Sequence, residues 1–475
     1  MLTHRYIAQL VFEAETPLFV GSGDSSVFAD GLIVRDAWGF PMIPGTALAG
    51  VLRHQLESDD NRDKWEGLFG FQRPTTHEKF GTTGMGARLI VNPAYIVLDN
   101  DFPRDDNSEM WQTYLPLFEY LPARPHVRIN HRGVADTQKR GLFSNEVLYK
   151  GVRFMTEIEL RGTSEDESLW EKLKKALHHP LFRIGQGTRK GYGKLKVVGL
   201  TEHVYDLQKE SDFNAYLAHK PLDFSPLRVI KNTSKKEVKP QSDGLLHYRL
   251  ELYPEGTFFF GSGYGDDEVD AIPASERVAT YDYNGRLVLR EEPVPFIPAS
   301  SIKGALRHRT CFHYNKRKQR WAEEWTGDER LRQIIEAENA AVYELFGDSA
   351  NTDHSRESAH RPPHRGRVLI DDIYLEEHYT YKIFDHVAID RFTGGALEAA
   401  LYSEKAIYFD NQSTPITIDI YVEDAISDAD VIGAFEDALI DVCRGLLPLG
   451  GMTTKGHGLF TGALYKNNQQ IYRYE

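Results

Sequence analysis

At 475 residues the chain is too long for one small core, so two or three domains are expected. Its formal net charge of −14 argues against a general nucleic-acid binder while leaving room for local basic patches such as GTRKGYGK and KGALRHR. It has no apolar run of about 18 residues, which excludes a transmembrane helix, and its two cysteines cannot build a disulfide framework or a four-cysteine zinc site.

The opening MLTHRYIAQLVFEAE carries acids where a signal peptide needs an unbroken apolar stretch, so a reducing cytoplasm is the expected setting. Its alternation predicts a strand. A glycine turn, FVGSG, follows, then a long loop with Asp24, Asp30 and Asp36. The segment MIPGTALAGVLRH predicts a helix capped by Thr46, with Leu48, Val51, Leu52 and Leu56 at helical spacing and Arg53-His54 near its end. Strands are predicted at GARLIVN and VRFMTEIEL, a second helix at SLWEKLKKALHH, and a glycine loop at GQGTRKGYG.

The same ordered series then returns. FVGSG reappears as FFGSG, MIPGTALAGVLRH as FIPASSIKGALRH, and LFG at Leu68 as LFG at Leu345. GARLIVNPAYI reappears as GRVLIDDIYL, HVRIN as HVAIDR, GLFSNEVLYKG as ALYSEKAIYFD, and RKGYGKLKV as TKGHGLFTG. The boundary falls in the lysine-rich, proline-bearing 231–244. The expected domains are 1–230, including a C-terminal tail, and 245–475. Ser300 or Ser301 caps the second copy's helix, whose stripe is Ile302, Ala305 and Leu306. A further helix is expected over Asp328–Gly347, with a loop after it. Strand–helix–strand–strand–helix–strand is the ferredoxin-like, RNA-recognition-motif order, an α+β fold.

Several groups could carry chemistry. Glycine loops let backbone N–H groups approach phosphates, with Arg189, Lys190 and Lys455 as neutralising cations. Gly185, Gly187, Gly191 and Gly193 in the first copy, and Gly456 and Gly458 in the second, are the turn positions, although a glycine turn alone is usually only a turn. Neither loop satisfies the P-loop pattern. The helix starts, with Gly45, Thr46, Ser300, Ser301 and Lys303, are anion sites or ordinary caps, and Arg307-His308 are ligands or solvated helix residues. A loop carboxylate such as Asp30, Asp36, Asp266, Asp267, Asp270 or Asp282 can act as a base or hold a divalent metal, but most loop acids are merely solvated. His354, His360 and His364 make a weak metal candidate without cysteines.

IPGTALAG/IPASSIKG, LFG with GARLIVNPA/GRVLIDD, HVAIDRFTGGALEAALY and the glycine loops resemble the RAMP superfamily of CRISPR-associated proteins. Two such domains in one chain look like fused backbone subunits of type III-D-like effector complexes. The resemblance implies that each domain grips guide CRISPR RNA and that a thumb displaces nucleotides, near 130–145 and 390–404. It implies RNA contacts at Gly21, Gly23, Arg132, Arg391 and Thr393. It also implies partners: complementary target RNA and other type III subunits (backbone, cap, large and small). In cleaving members an aspartate before the IPG helix cuts target RNA with divalent metal, Mg2+ or Mn2+. ADGLIVRDAWGFPMIPG puts Asp30 there as catalytic acid and metal ligand. Aligning the second copy backward from FIP puts Gly285 nearly opposite, with Asp282 as the nearby acid. HVRINHRG lacks the acid–arginine pair of Asp390-Arg391. Three functions stay in play: a guide-directed endoribonuclease, a non-catalytic scaffold and a guide-processing nuclease. A metabolic enzyme lacks any cofactor motif.

Overall fold

The structure is a computed structural model. It describes residues 2–56, 62–74, 82–99, 112–127, 129, 134–135, 142–221, 244–321, 323, 339–348, 364–409, 414–424 and 426–474. The fold is mixed α/β, with two principal antiparallel sheets.

In the first sheet, His4–Ala14 runs centrally between Leu195–Asp206 and Arg153–Gly162. Leu89–Val91 and Ala94–Ile96 both pair with the far side of Arg153–Gly162. Period-two alternation turns Tyr6, Ala8, Leu10, Phe12 and Ala14 into one core. The helices Gly45–Leu56 and Glu167–Ala176 cover that face with Leu48, Leu52 and Leu56, and with Trp170, Leu173 and Ala176. Burying each large apolar side chain contributes about 1.5–3 kcal/mol. The sheet's other face holds a polar pair, Gln9 donating to Glu157 at 3.1 Å, with the His219 ring 3.0 Å from the same carboxylate.

The second sheet repeats this plan: Leu245–Pro254 lies between Ile416–Glu423 and Phe460–Lys466, with Val368–Ile370 and Gln469–Arg473 outside. Its helices are Ala299–Arg317 and Ala429–Cys443, joined by apolar packing and by ion pairs such as Arg309–Asp441 (2.6 Å) and Arg317–Asp437 (2.7 Å). Both free cysteines are buried here.

The helix starts differ from expectation. Gly45–Leu56 begins a residue before Thr46, so Thr46 lies inside the first turn. In Ala299–Arg317 the cap position is Pro298, and no serine side chain caps it. The Asp372 carboxylate accepts the Ala299 N–H at 2.8 Å instead. A carboxylate from a neighbouring strand thus satisfies the orphan donor and complements the positive helix end. The helix expected over Asp328–Gly347 lies mostly outside the described residues; its end, Val342–Phe346, is one π-helical turn. The 231–243 segment, His354 and His360 are also outside them.

The two halves meet in a polar joint. Arg124 from the first half lies between Glu276 and Asp372 of the second, contacting Asp372 at 2.5 Å and Glu276 Oε2 at 2.7 Å. Arg183 pairs with Asp371, and Arg189 with Glu423. An arm of the second half, Ala279–Tyr281 paired with Leu287–Leu289, reaches back onto the first. Ala279 and Leu287 enter the first half's core, and the Tyr281 hydroxyl donates to the Val97 carbonyl at 2.8 Å.

Candidate nucleic-acid interface

Both halves build the same acid loop. In the first, the Ser26 N–H donates to the Ala29 carbonyl at 2.8 Å, and the Ser26 hydroxyl accepts from Phe28 and Ala29 N–H. In the second, the Asp266 N–H donates to the Val269 carbonyl at 2.9 Å, and the Asp266 carboxylate accepts from Glu268 and Val269 N–H. Side chains of this kind locking a turn are Asx and ST motifs. Ala29 and Val269 are buried and anchor the two loops.

Each loop then presents one exposed aspartate to a serine on the return strand of a hairpin. Asp30 N–H donates to the Ser144 carbonyl at 2.8 Å, and Ser144 N–H donates back to Asp30 Oδ2 at 2.8 Å. Asp270 N–H donates to the Ser403 carbonyl at 3.1 Å, and Ser403 N–H donates back to Asp270 Oδ2 at 2.8 Å. The parallel bridges Gly31–Asn145 and Ala271–Glu404 repeat the correspondence. Asp270 is therefore the counterpart of Asp30.

Asp282, the sequence candidate, sits elsewhere. Its Oδ1 accepts the Asn284 and Arg286 N–H groups at 2.9 and 2.8 Å, closing the turn of the arm on the first half. The arm is inserted between the loop and the IPA helix, so aligning backward from the helix slides past Asp270. Asp36 is likewise a turn residue, accepting the Trp38 and Phe40 N–H groups at 3.0 Å each.

The glycine loops are also twins. Gln186 N–H donates to the Phe19 carbonyl at 2.8 Å, and Gly451 N–H to the Phe259 carbonyl at 2.7 Å, pinning each loop beside its FxGSG turn. Gly21 lies in that turn with the Gln186 side chain near it, whereas Gly23 has open space around it. Lys190 Nζ stands 5.0 Å from the Phe143 ring centroid and Lys455 Nζ 4.4 Å from that of Tyr402. Phe143 stacks on His126 and Tyr402 on His386, at 5.0 and 4.7 Å between centroids. Each half thus carries a lysine–aromatic–histidine stack where its glycine loop meets its hairpin. Burial, then the neighbouring Lys190 and Arg124, lowers the His126 pKa to about 4, and its Nε2 lies 2.7 Å from the Tyr192 hydroxyl.

The hairpins are Ala123–Val127 with Leu142–Glu146, and the longer Tyr379–Ile389 with Ala396–Phe409. At the second tip, Asp390 Oδ1 accepts the Phe392 N–H at 2.6 Å and the Thr393 N–H at 3.2 Å, leaving Phe392 fully exposed beside Arg391. Most of the first tip, including Arg132, lies outside the described residues.

Several expected RNA contacts belong instead to the joint or the core. Arg189 is paired with Glu423. Lys303 donates to the Arg189 carbonyl at 3.0 Å and the Val368 carbonyl at 3.1 Å, and desolvation lowers its pKa to about 7. Gly191 packs against Asp372 and Ala299. Gly45 is buried, where a Cβ would meet the Val91 carbonyl at 2.1 Å. Gly185, Gly187, Gly193 and Gly458 pack against backbone or ring atoms of their own half. Thr46 and Ser301 are exposed, Ser300 is half-buried, and Arg53-His54 lie in the last turn of their helix, where cations suit the dipole. Arg307-His308 are half-buried within theirs.

A family model for the RAMP superfamily matches residues 11–196 and again 282–461. The chain belongs to the RAMP superfamily. Both RAMP matches include a glycine loop, a hairpin and a helix beginning after Ile-Pro. The chain is also 26% identical over 211 residues to the CRISPR system Cms endoribonuclease Csm3 of Methanocaldococcus jannaschii, covering 41% of this RAMP chain and 79% of that protein.

Sequence reasoning named Asp270 only as one of several loop acids, setting Asp282 ahead of it, and passed over Ser144, Ser403, Phe143 and Tyr402. A signal for Asp270 was present: Asp30 and Asp270 each stand seven residues after the last glycine of FVGSG or FFGSG.

Proposed function

We propose that this RAMP protein is a backbone subunit of a type III-D-like CRISPR effector, made of two tandem ferredoxin-like (RNA-recognition-motif-like) domains, 1–230 and 245–475. It binds guide CRISPR RNA and cleaves complementary target RNA. The observation that carries this reading is the duplicated site: one exposed aspartate hydrogen-bonded to a hairpin serine, beside a lysine–aromatic–histidine stack, in each half. The match to a protein named as a CRISPR endoribonuclease supports it.

In this reading Lys190 and Lys455 contact guide phosphates, and the hairpin tips enter the guide–target duplex. A target nucleotide displaced at each hairpin brings its 2′-hydroxyl to Asp30 or Asp270. Ser144 or Ser403 engages Oδ2 and fixes the carboxylate, and Oδ1 takes the 2′-hydroxyl proton. The 2′-oxygen attacks the adjacent phosphorus in line, and the 5′-oxygen leaves, taking a proton from water. The P–O5′ bond breaks as the P–O2′ bond forms.

Among the described residues no group of three His, Cys, Asp or Glu side chains is placed to hold a metal. A divalent ion such as Mg2+ fits only with RNA oxygens and water completing the shell around one carboxylate, as Mg2+ commonly binds. It would offset the charge gathering on phosphate. Other type III subunits complete the RNA channel, in keeping with the acidic net charge of −14. No helix among the described residues is long and apolar enough to cross a membrane, and a prokaryotic cytoplasm is the proposed setting.

The test is to assemble the complex on two guides whose complementary segments differ by a three-nucleotide offset, and map cuts on one end-labelled target. The proposal expects the cuts to move with the guide. Binding without cutting would favour a scaffold, and cuts confined to guide precursor would favour a processing nuclease.

A further inference from the structure

Lys190 is the exposed residue of a stretch otherwise enclosed: Arg189 before it is half-buried, and Gly191 and Tyr192 after it are buried. What encloses them belongs largely to the other half. Lys303, on the helix Ala299–Arg317, donates at 3.0 Å to the Arg189 carbonyl, which is part of the peptide joining Arg189 to Lys190. Glu423, at the end of the strand Ile416–Glu423, holds the Arg189 side chain. Asp372 and Ala299 stand against Gly191, and Arg124, itself fixed by Asp372 and Glu276, lies over the Tyr192 ring at 5.2 Å. The backbone is thus held immediately before and immediately after Lys190 from the second half.

The twin loop lacks this frame. Thr454, Lys455 and Gly456 are all exposed, and nothing lies within 4 Å of a Cβ placed on Gly456. Position 303 is also distinctive. Aligning IPASSIKG on IPGTALAG puts Ala49 at its place in the first copy, a residue with no charge to desolvate. At Lys303, desolvation and then the neighbouring charges of Arg189 and Lys190 work against the ammonium ion. The ammonium group is kept there in spite of this, with the Arg189 and Val368 carbonyls as its acceptors.

We propose that Lys303 and Glu423 are positioning residues for the guide-phosphate contact of the first half: from across the joint they fix the peptide that carries Lys190, so that its ammonium group meets the phosphate already in place. Lys303 acts through Lys190 and does not touch RNA. Ordering the loop before binding removes a cost that the bare loop around Lys455 must meet when RNA arrives. The inference rests on the reading of Lys190 as a guide-phosphate ligand, and it makes the two contacts unequal, the first set by both halves together.

A double-variant cycle on the full chain tests this, with labelled guide CRISPR RNA bound over a salt series. Lys303→Met keeps a side chain of similar length and removes its donors. It should weaken binding by about 10-fold, a coupling of the size found within one contact network. In a Lys190→Gln background it should change neither the affinity nor the salt slope further, whereas in a Lys455→Gln background the two losses should multiply. Glu423→Gln, which releases the same loop from another side, should show the same pattern. Equal weakening by Lys303→Met with and without Lys190 would overturn the proposal. So would a further fall of about 1 in the slope in the Lys190→Gln background, the mark of a direct phosphate contact. Failure of the wild type to bind guide RNA would instead remove the reading of Lys190, and this inference with it.

Discussion

Gly191 and Gly456 occupy one position of the repeated loop, with φ of +102° and +94°, yet their surroundings differ. A Cβ on Gly191 would meet Asp372 Oδ1 at 2.4 Å and the Ala299 Cβ at 2.8 Å, whereas nothing lies within 4 Å of one on Gly456. Gly456→Ala should therefore cost only the left-handed backbone term, about 1–2 kcal/mol. Gly191→Ala adds overpacking of roughly 1–3 kcal/mol at the joint. Thermal unfolding of the two variants checks this; equal losses would refute the packing of this loop against Asp372. His126 offers a second test at this scale. Its folded pKa of about 4 lies below the ordinary 6.5, so the unfolded chain takes up the proton first. The stability it contributes is complete above pH 6.5 and is lost as pH falls toward 4. Denaturation measured across that range should show a shallower decline in His126→Gln than in the wild type. Asp270 shows why a residue can be named among its neighbours and not chosen: the serine that marks it lies 133 positions away, and only the folded hairpin brings them together.

At the scale of elements, the repeated strands, helices and glycine loops were legible because each carries a local signal: alternation, a three-to-four-residue stripe, or a turn glycine. The helix caps were not. The carboxylate that serves Ala299 comes from Asp372, remote in sequence, and displaces the local serines from that role. The same remoteness hid the use of Arg189 and Lys303, which read as phosphate ligands and prove to be joint residues. The two lysines that remain at the hairpins, Lys190 and Lys455, make a prediction for these elements. Replacing either by Gln should weaken guide RNA binding regardless of guide sequence and reduce the slope of log K against log salt by about 1. Arg189→Gln should leave that slope unchanged. Binding measured over a salt series distinguishes the two outcomes.

For the whole molecule, the joint decides whether the two sites keep a fixed separation. Arg124 is deeply buried, and although burial alone would lower its pKa, Glu276 and Asp372 raise it well above its ordinary value. Arg124→Met strands both carboxylates and should destabilise by about 3–5 kcal/mol, the usual consequence of removing one partner of a buried pair. Calorimetry should then resolve separate transitions for the two halves, whereas a single unchanged transition would contradict the joint as described. The central claim is tested most directly by cleavage of end-labelled target RNA in the assembled complex, comparing wild type with Asp30→Asn, Asp270→Asn, Asp282→Asn and the Asp30/Asp270 double variant. The account predicts that Asp30→Asn and Asp270→Asn each remove one guide-directed cut by at least about 100-fold, as loss of a general base does. It predicts that the double variant removes both, and that Asp282→Asn changes neither. Unaltered cuts in the double variant, with target binding intact, would contradict it.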